Sequence, residues 1–274
     1  MTIKSTKTIK HDFFSKSNIK KYPERMVIIG FIAADGCITK WQTGQKHLIF
    51  NISEKDKIAL EIINNTIADG NRSINYLKNT KSCMLSIPSD EICNDLKRYN
   101  IVERKSDIYD LPLNLTKKQM QYFLKGYFYG DGCITTKPQY PTNGISIVGS
   151  NIFIDNIQQY LNNNKIIENC PLYNLKSPKI KQLTTVGRMA SKFSKYLFFD
   201  NKFNLLPRKT IIFEDETFNT KLTINDIRLI KYETDINKIV KLTGRSIASI
   251  KNFKYQMDNN CIRSKHIKIK YESI

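Results

Sequence analysis

The sequence predicts an α+β fold made of two pseudo-symmetric halves, each in the order αββαββα, followed by a small all-α domain. Three observations predict it. A phrase occurs twice, as IIGFIAADGCI at residues 28–38 and as LKGYFYGDGCI at residues 124–134. The same order of helical and strand-like patterns follows each copy, and beyond Phe218 the pattern changes to short helices. The expected boundaries are therefore residues 1–115 for the first half, 116–220 for the second half and 221–274 for the C-terminal domain.

In the first half, each element follows from a local pattern. The apolar run that ends in Asp35 is typical of a helix, and Thr43, Gly44 and Gln45 form a turn between two strands. Ser53 is expected to cap the next helix, and a last helix opens after Ser89. The predicted elements after the motif are strands at 37–42 and 46–53, a helix at 54–67, strands at 72–78 and 82–87, and a helix at 90–99.

The second half repeats this order with shifted numbers. Ser150 stands where Ser53 stands in the first half and is expected to open a helix. The predicted elements after the second motif are strands at 132–136 and 144–148, a helix at 150–163, strands at 172–175 and 182–186, and a helix at 188–198. The segments that follow the last predicted helix of each half also match, as Arg104-Lys105-Ser106 and Arg208-Lys209-Thr210.

The charge balance indicates the class of partner. In 274 residues, Lys and Arg outnumber Asp and Glu by 44 to 25, which gives a net charge of +19. Such an excess attracts a polyanion, most often nucleic acid, by neutralising phosphates and releasing counterions. A solvated lysine-rich surface and an anionic membrane surface are the less favoured alternatives. The apolar fraction of 41% argues against disorder.

Several classes of protein are disfavoured. No stretch of about 18 apolar residues predicts a membrane span, and no apolar segment near the N-terminus predicts secretion. The six cysteines form no CxxC pair, so neither a zinc finger nor a disulfide framework is expected. We expect an intracellular protein that is not secreted, in the cytoplasm of a bacterial or phage-infected cell or in an organelle.

Small residues in the two motifs predict how the motif helices pack. Gly30 and Ala34 lie four residues apart, as do Gly126 and Gly130, so each pair shares one helix face on which another backbone can approach closely. Packing on these faces would bring Asp35 and Asp131 side by side.

Two adjacent carboxylates repel each other unless a cation joins them. Mg²⁺ is held by few carboxylates together with water and substrate phosphates, and it promotes phosphodiester hydrolysis. In a single copy of the motif, an aspartate before glycine is explained equally well as a functional acid or as a turn residue at the end of a helix. The duplication in a basic chain favours a functional acid pair and a nuclease.

The two phrases resemble the paired motifs of the LAGLIDADG homing endonucleases in their single-chain, two-repeat form. KGYFYGDG at residues 125–132 is an especially close match, and the resemblance covers about residues 12 to 215. It implies a monomer with internal pseudo-twofold symmetry whose two sheets form a DNA-binding saddle over the major groove. It also implies a double-strand break with 3′ overhangs at a long target, made by an enzyme that is free-standing or encoded by a mobile intron. The implied cofactor is Mg²⁺, as about two or three ions shared at the centre, with Mn²⁺ as a substitute.

The resemblance also implies roles for individual residues. The metal ligands would be Asp35 and Asp131, with the carbonyl groups of Ala34 and Gly130. Lys105 and Lys209 stand where the family often has a basic residue near the scissile phosphates, although ordinary solvated lysines would look the same in the sequence.

Other positions of the motif region differ between the halves. Asn51 matches a polar position that can orient water, and its counterpart is Val148. The sixth motif position, often acidic in the family, is Ala33 or Tyr129 here, but it is not the metal ligand. Cys37 and Cys133 occupy equivalent places, where small buried strand residues are expected.

Exposed side chains on the saddle strands would read the bases, since Lys and Gln can bind guanine and adenine edges. The candidates are Lys40, Gln42, Gln45 and Lys46 in the first half, and Thr136, Lys137, Gln139 and Ser146 in the second.

The C-terminal domain resembles a helix-turn-helix module. Its helices are expected at 224–233, 236–242 and 246–257, with Asp235 as a cap and a tight turn at Thr243-Gly244-Arg245. The expected core contains Ile236, Ile239, Val240, Leu242, Ile247, Ile250 and Phe253. The third helix would offer Arg245, Ser246, Ser249, Asn252 and Lys254 to a major groove, and the basic tail at 263–270 would follow phosphates. A helical hairpin that only packs on the second half is the alternative.

The expected partner is double-stranded DNA. Two other functions stay open, namely a non-cleaving DNA-binding transcription regulator and an RNA maturase that binds intron RNA. Retention of both acids favours the endonuclease over the regulator. An intein is disfavoured because no splicing Cys or Ser opens the chain, and the motifs of HNH and GIY-YIG nucleases are not found.

Overall fold

The computed structural model describes residues 9–136, 143–167, 170–175, 177–213, 224–243, 245, 247–259 and 261–262. Five of the features named above lie outside these residues, namely Lys137, Gln139, Gly244, Ser246 and the basic tail at 263–270. Among the described residues, no helix is both long enough and apolar enough to cross a membrane.

Both halves have the predicted order of elements. The first half contains α1 (Lys16–Lys21), α2 (Met26–Asp35), β1 (Gly36–Lys40), β2 (Lys46–Ser53), α3 (Lys57–Ala68), β3 (Ile74–Leu77), β4 (Ser82–Pro88) and α4 (Asp90–Leu96). The second half contains α5 (Lys117–Asp131), β5 (Gly132–Thr135), β6 (Gly144–Ser150), α6 (Asn151–Asn163), β7 (Leu172–Asn174), β8 (Ile180–Val186) and α7 (Arg188–Leu197). The strand orders are β1-β2-β4-β3 and β5-β6-β8-β7, and all neighbouring strands are antiparallel. The predicted α+β class and the repeat are confirmed.

Side-chain caps determine where several helices begin. The hydroxyl groups of Ser89 and Ser150 accept hydrogen bonds from the third residue of α4 and α6, as expected. The prediction for Ser53 is wrong, because its side chain makes no capping bond and a 3₁₀ turn at Glu54–Asp56 comes before α3. Thr116, which the sequence reading overlooked, opens α5 with a capping box to Gln119.

Successive side chains of every strand point to opposite faces of the sheet. One face of each sheet is covered by helices and is called its helix face. In the first sheet, Leu48, Phe50 and Leu85 are fully buried on the helix face. In the second sheet, Ile145, Ile147 and Leu183 are buried on it. The side chain of Lys181, which has the same parity as Leu183, binds Asp155 of α6, so a helix covers this face. We call the opposite side of each sheet its open face.

The two halves share one hydrophobic core because α2 and α5 pack directly against each other. A Cβ atom on Gly30 would overlap the carbonyl oxygen of Phe123, and one on Gly126 would overlap that of Val27. A Cβ on Gly130 would overlap that of Ala34. The predicted packing of the motif helices on their small residues is therefore confirmed.

The C-terminal region contains α8 (Ile224–Tyr232), α9 (Ile236–Thr243) and α10 (Ile247–Asp258). The carboxylate of Asp235 accepts hydrogen bonds from the first turn of α9, which confirms the predicted cap. A separate core unites these helices, consisting of Ile227, Ile230, Ile239, Ile250, Phe253 and Met257. Leu242 and Ile247 were expected in this core but are 62% and 46% exposed. Ile236 was also expected in this core but is not part of it, whereas α8 contributes Ile227 and Ile230.

Candidate active site

Helices α2 and α5 end side by side at Asp35 and Asp131. The carbonyl groups at a helix C-terminus carry partial negative charge, so two such ends and two carboxylates meet at one place. Part of the Asp35 side chain is exposed to solvent. Desolvation by the surrounding protein is nevertheless the main cause that raises its pKa to about 6, and the charge of Asp131 is the second cause. Burial also raises the pKa of Asp131. The two acids thus form an interacting pair, as their duplication predicted.

The two predicted lysines lie at this acid pair. Lys105 is buried, with 6% of its surface exposed, and its Nζ is 3.5 Å from the carbonyl oxygen of Ala34. The Nζ of Lys209 donates hydrogen bonds of 2.7 Å to the carbonyl oxygens of Tyr129 and Gly130. Burial lowers the pKa of each lysine, while both aspartates act in the opposite direction. Neither residue is an ordinary solvated lysine.

These contacts fit a bound divalent cation. Burial and, after it, the charge of Asp131 raise the pKa of Asp35 more than the two lysines lower it. The carbonyl groups of Ala34 and Gly130 already accept a cationic group, here an ammonium. No group of three or more His, Cys, Asp or Glu side chains suited to a metal occurs within the described part of the chain. Few carboxylates with carbonyl oxygens, completed by water or phosphate, suit Mg²⁺ rather than zinc.

A cleft of ≈ 220 Å³ adjoins Asp131. It connects the acid pair with the open face of the second sheet, because Val148 and Ile180 line it together with Lys105 and Tyr127. A phosphate group placed in this cleft would contact both the acid and the lysine.

Tyr127 is a site residue that the sequence reading missed. Its side chain is 3% exposed, and its hydroxyl group lies 3.1 Å from the carbonyl oxygen of Val148 and within hydrogen-bonding reach of Asp131. This hydrogen bond opposes the effect of burial on the pKa of Asp131. The equivalent residue before Asp35 is Phe31, so aligning the two motifs could have indicated an additional hydroxyl in the second half.

The open faces differ near the acids. Asn51 is exposed on the first sheet, whereas Val148 is half-buried on the second. Cys37 and Cys133 are both exposed, so the prediction that they are buried is wrong. The reason is strand parity, since Gly36 and Ile38 on either side of Cys37 turn to the core.

The predicted base-reading residues do not all lie on the open faces of the sheets. Gln42 and Gln45 are exposed at the β1–β2 hairpin, and Thr136 is exposed after β5. Lys40 is exposed but shares the parity of Ile38 and so belongs to the helix face.

Three of these predictions are wrong about orientation or exposure, namely those for Lys40, Lys46 and Ser146. Lys46 also has the parity of the helix face, and its Nζ contacts Asn94 of α4 at 3.4 Å. Ser146 is on the open face but is only 7% exposed, because β6 has a neighbouring strand on each side. Trp41, which was not predicted, is 52% exposed and stacks on His47 with ring centroids 4.2 Å apart.

In the C-terminal helices, Ser249 and Asn252 are exposed on α10, and Arg245 is half-buried before it. The Nζ of Lys254 donates a hydrogen bond of 2.6 Å to the carbonyl oxygen of Glu233. Lys254 therefore ties α10 to the end of α8.

No family model matches the chain, and no curated protein matches its sequence. Several solved structures are similar to it, and three of them are described here. The I-LtrWI LAGLIDADG homing endonuclease bound to target DNA is 17% identical, with 88% of this chain and 99% of that chain covered and a TM-score of 0.47. The LAGLIDADG meganuclease I-AabMI bound to uncleaved DNA is 15% identical, covering 84% and 97%, with a TM-score of 0.47. I-DmoI in complex with DNA and Ca is 14% identical, covering 68% and 95%, with a TM-score of 0.48. These three similar structures are homing endonucleases, the class of protein that the repeated motif resembles.

Proposed function

We propose that this chain is a site-specific DNA endonuclease that makes a metal-dependent double-strand break. One observation carries the proposal, namely that two equivalent helix ends bring Asp35 and Asp131 together, each with a lysine at the last carbonyl groups of its helix. The two halves, residues 1–115 and 116–220, would each serve one strand of the duplex. Residues 221–274 would form an additional helix-turn-helix DNA-binding module.

The residues of the acid pair have distinct roles in this proposal. Asp35, Asp131 and the carbonyl groups of Ala34 and Gly130 would hold Mg²⁺, or Mn²⁺ in its place. When bound, such an ion supplies an activated water and stabilises the attacking and leaving oxygens of the phosphodiester. Lys105 and Lys209 keep positive charge beside the reacting phosphate and stabilise the negative charge that develops there. Asn51 would orient water on the first half alone.

Further features of the proposal rest on the resemblance of the motifs. They are a long target, 3′ overhangs, action as a monomer inside the cell, and a gene that is free-standing or part of a mobile intron. The non-cleaving regulator and the RNA maturase are alternative outcomes. The paired acids support the endonuclease because neither alternative needs two carboxylates at one point.

The first experiment is cleavage of a randomised duplex library with Mg²⁺, with Ca²⁺ as the control, followed by sequencing of the new ends. Unique ends at one long motif that require Mg²⁺ are the expected result. Specific binding without new ends would support a regulator, and absence of both would direct attention to RNA.

Variants then test the acid pair. Asp35→Asn and Asp131→Asn keep the shape of the side chain but remove its charge, so each should abolish double-strand cleavage and leave specific binding largely intact. Asp69→Asn is the matched control, because Asp69 is an exposed acid paired with Lys10. Full cleavage by both single active-site variants would refute the shared-metal site.

A further inference from the structure

A bidentate ion pair joins the two halves of the chain next to one of the lysines at the acid pair. Asp56 lies in the first half, in the 3₁₀ turn Glu54–Asp56 after β2. Its carboxylate accepts two hydrogen bonds of 2.6 Å from the guanidinium of Arg208, which belongs to the second half. Because only 14% of the Asp56 side chain is exposed, this pair is partly shielded from solvent. It also has the two-contact geometry that makes arginine–carboxylate pairs strong and specific in orientation.

Arg208 is the residue directly before Lys209. Both lie in the 3₁₀ turn Pro207–Lys209, in which the ring of Pro207 restricts the backbone. In so short a turn, fixing the guanidinium of Arg208 also fixes the backbone from which the side chain of Lys209 extends. The Nζ of Lys209 donates its two hydrogen bonds of 2.7 Å to carbonyl oxygens at the end of α5. The position of this lysine at the acid pair is thereby connected to a carboxylate of the first half.

Asp56 also balances the charge of Arg208 beside the lysine. Burial and, after it, the charge of Arg208 lower the pKa of Lys209, whereas the charge of Asp56 acts in the opposite direction. Without the Asp56 carboxylate, an uncompensated guanidinium would lie next to the Lys209 ammonium. Repulsion between the two cations would then favour lysine conformations that point away from the acid pair.

The first half has no equivalent of this ion pair among the described residues. When the halves are aligned on Ser53 and Ser150, the counterpart of Asp56 is Phe153, which is fully buried and has no acceptor group. The counterpart of Arg208 is also without a partner of this kind. It is Arg104, an exposed residue with a left-handed backbone (φ 55°) whose guanidinium has no ion-pair partner in the described part of the chain.

Lys105 is accordingly held in a different way from Lys209. It is buried, and its Nζ lies 3.5 Å from a single carbonyl oxygen. In the segment that follows, Asp107 binds Lys179 at 3.1 Å, but these side chains are 53% and 65% exposed, and exposed pairs of this kind contribute little. The two lysines of the acid pair therefore depend on different contacts.

Resting on the proposed endonuclease function, we infer that Asp56 is a positioning residue for Lys209. It acts through Arg208, and it serves only one of the two strands that the enzyme would cut. The second half thus needs a carboxylate of the first half to hold its own lysine in place, whereas the reaction on the strand beside Lys105 does not depend on Asp56.

The test follows the two strands separately in single-turnover cleavage of the target selected from the library, with a different fluorophore on each strand. Lys209→Met removes the ammonium group and should slow one strand, which identifies the strand that Lys209 serves. Asp56→Asn should slow the same strand by roughly tenfold or more. The rate on the other strand and the dissociation constant in Ca²⁺ should change little, because Asp56 positions a reacting group and does not itself bind DNA.

Further variants separate positioning from general destabilisation. Asp56→Glu keeps the carboxylate and should recover part of the lost rate. Asp56→Asn should add little in an Arg208→Gln background, because the residue through which Asp56 acts is already gone. Asp155→Asn is the matched control, since the Asp155 carboxylate also accepts two hydrogen bonds, of 2.8 and 2.6 Å, but from Lys181. It should leave the rates on both strands unchanged.

Circular dichroism verifies that each variant is folded. If Asp56→Asn does not fold, Arg208→Lys takes its place, because lysine keeps the positive charge but cannot make the two-contact geometry. The same loss of rate on one strand is then expected.

The outcomes separate this inference from the proposed function. Equal slowing of both strands, weaker binding with an unchanged rate, or full additivity of Asp56→Asn and Arg208→Gln would each overturn the inference while the endonuclease stands. Equal slowing of both strands by Lys209→Met would overturn it as well. Failure of the parent chain to cut any DNA would refute the proposed function itself.

Discussion

Asp35 and Asp131 come from equivalent positions, but among the described residues a tyrosine hydroxyl forms a hydrogen bond with Asp131 and not with Asp35. The hydroxyl of Tyr127 has one proton and two acceptors, the Asp131 carboxylate and the carbonyl oxygen of Val148. It can thus hold Asp131 in one orientation and link it to β6. Phe31 cannot do the same for Asp35, so the two halves of the acid pair are not equivalent.

The variant Tyr127→Phe tests this difference. Loss of the hydroxyl should slow cleavage of one strand by roughly tenfold and leave the other strand little affected, because a misplaced catalytic group can cost that much or more. The measurement is the time course of nicked and linear products from a supercoiled plasmid, with each strand labelled separately. Tyr160→Phe, which breaks a hydroxyl pair with Tyr196 in a different cavity, is the control. Equal slowing of both strands would indicate a merely structural role.

The raised pKa of Asp35 predicts a pH effect on the metal-free protein. The folded state holds this proton more tightly than the unfolded chain does, so stability contributed by Asp35 is present at low pH and is lost as pH rises from the ordinary value of 3.8 to about 6. Asp35→Asn removes the ionisation and should therefore raise the melting temperature by a few degrees at pH 7.5.

At pH 4 the same substitution should have little effect, since Asp35 is then protonated in the folded protein. Thermal unfolding with a chelator at the two pH values measures this, with Asp69→Asn beside it. An equal shift at both pH values would mean that ionisation of Asp35 is not the cause.

At the scale of elements, the contact between α2 and α5 determines the site. The helices approach so closely that backbone contacts backbone, which is possible only because Gly30 and Gly126 have no side chain. Because both helices end where they meet, the same contact places the acids next to each other. The packing of the two helices and the placement of the acid pair therefore depend on the same four small residues, Gly30, Ala34, Gly126 and Gly130.

Gly126→Ala should destabilise the protein by about 3 kcal/mol, since its Cβ would overlap the carbonyl oxygen of Val27 and force the helices apart. Gly144→Ala is the matched control, because a Cβ there would meet its nearest neighbour at 3.5 Å, an ordinary contact. Denaturant unfolding of the two variants gives the comparison. Similar midpoints for both would contradict the close packing of α2 on α5.

A buried lysine in the middle of α5 connects this helix to the segment after α7. Lys125 is fully buried, and its Nζ donates hydrogen bonds to the backbone carbonyls of Asp200 and Lys202 and to the Asp200 carboxylate. Tyr122 also donates to that carboxylate. Because each of these charges has a partner, the cluster anchors the segment after α7 to α5.

At the scale of the whole molecule, the two halves share one hydrophobic core. Their buried residues belong to a single cluster, and Arg208 after α7 binds Asp56 of the first half through two contacts of 2.6 Å. The acid pair lies where the halves join, so neither half can contain it alone. The three C-terminal helices differ in this respect, since their core is separate.

Deletion of residues 221–274 tests this division. The truncated chain should still cleave its target with Mg²⁺, because the acid pair and its lysines lie in the remaining core, but its affinity or choice of site should change. Cleavage and binding are measured over a range of protein concentrations, with circular dichroism to verify folding. Loss of all cleavage by a folded truncated chain would contradict the proposed role of the C-terminal module.

The sequence by itself determined the repeat, the order of elements and the pairing of the acids. These depend on local patterns, and the duplication of Gly30 and Asp35 as Gly126 and Asp131 shows which helices must meet. Boundaries were accurate where a side chain caps a helix, as at Ser89 and Ser150, and inaccurate at Ser53, where a 3₁₀ turn intervenes.

Only the tertiary structure decided which side chains face outward and which touch the acids. A shift of one residue turns a strand side chain to the other face, so Lys46 joins the helix face and Cys37 the open face. Exposure also depends on neighbours that are distant in sequence, which is why Ser146 on a central strand is covered. The contact of Tyr127 with Asp131 and Val148 likewise needs a helix and a strand placed in three dimensions, and no local pattern encodes that distance.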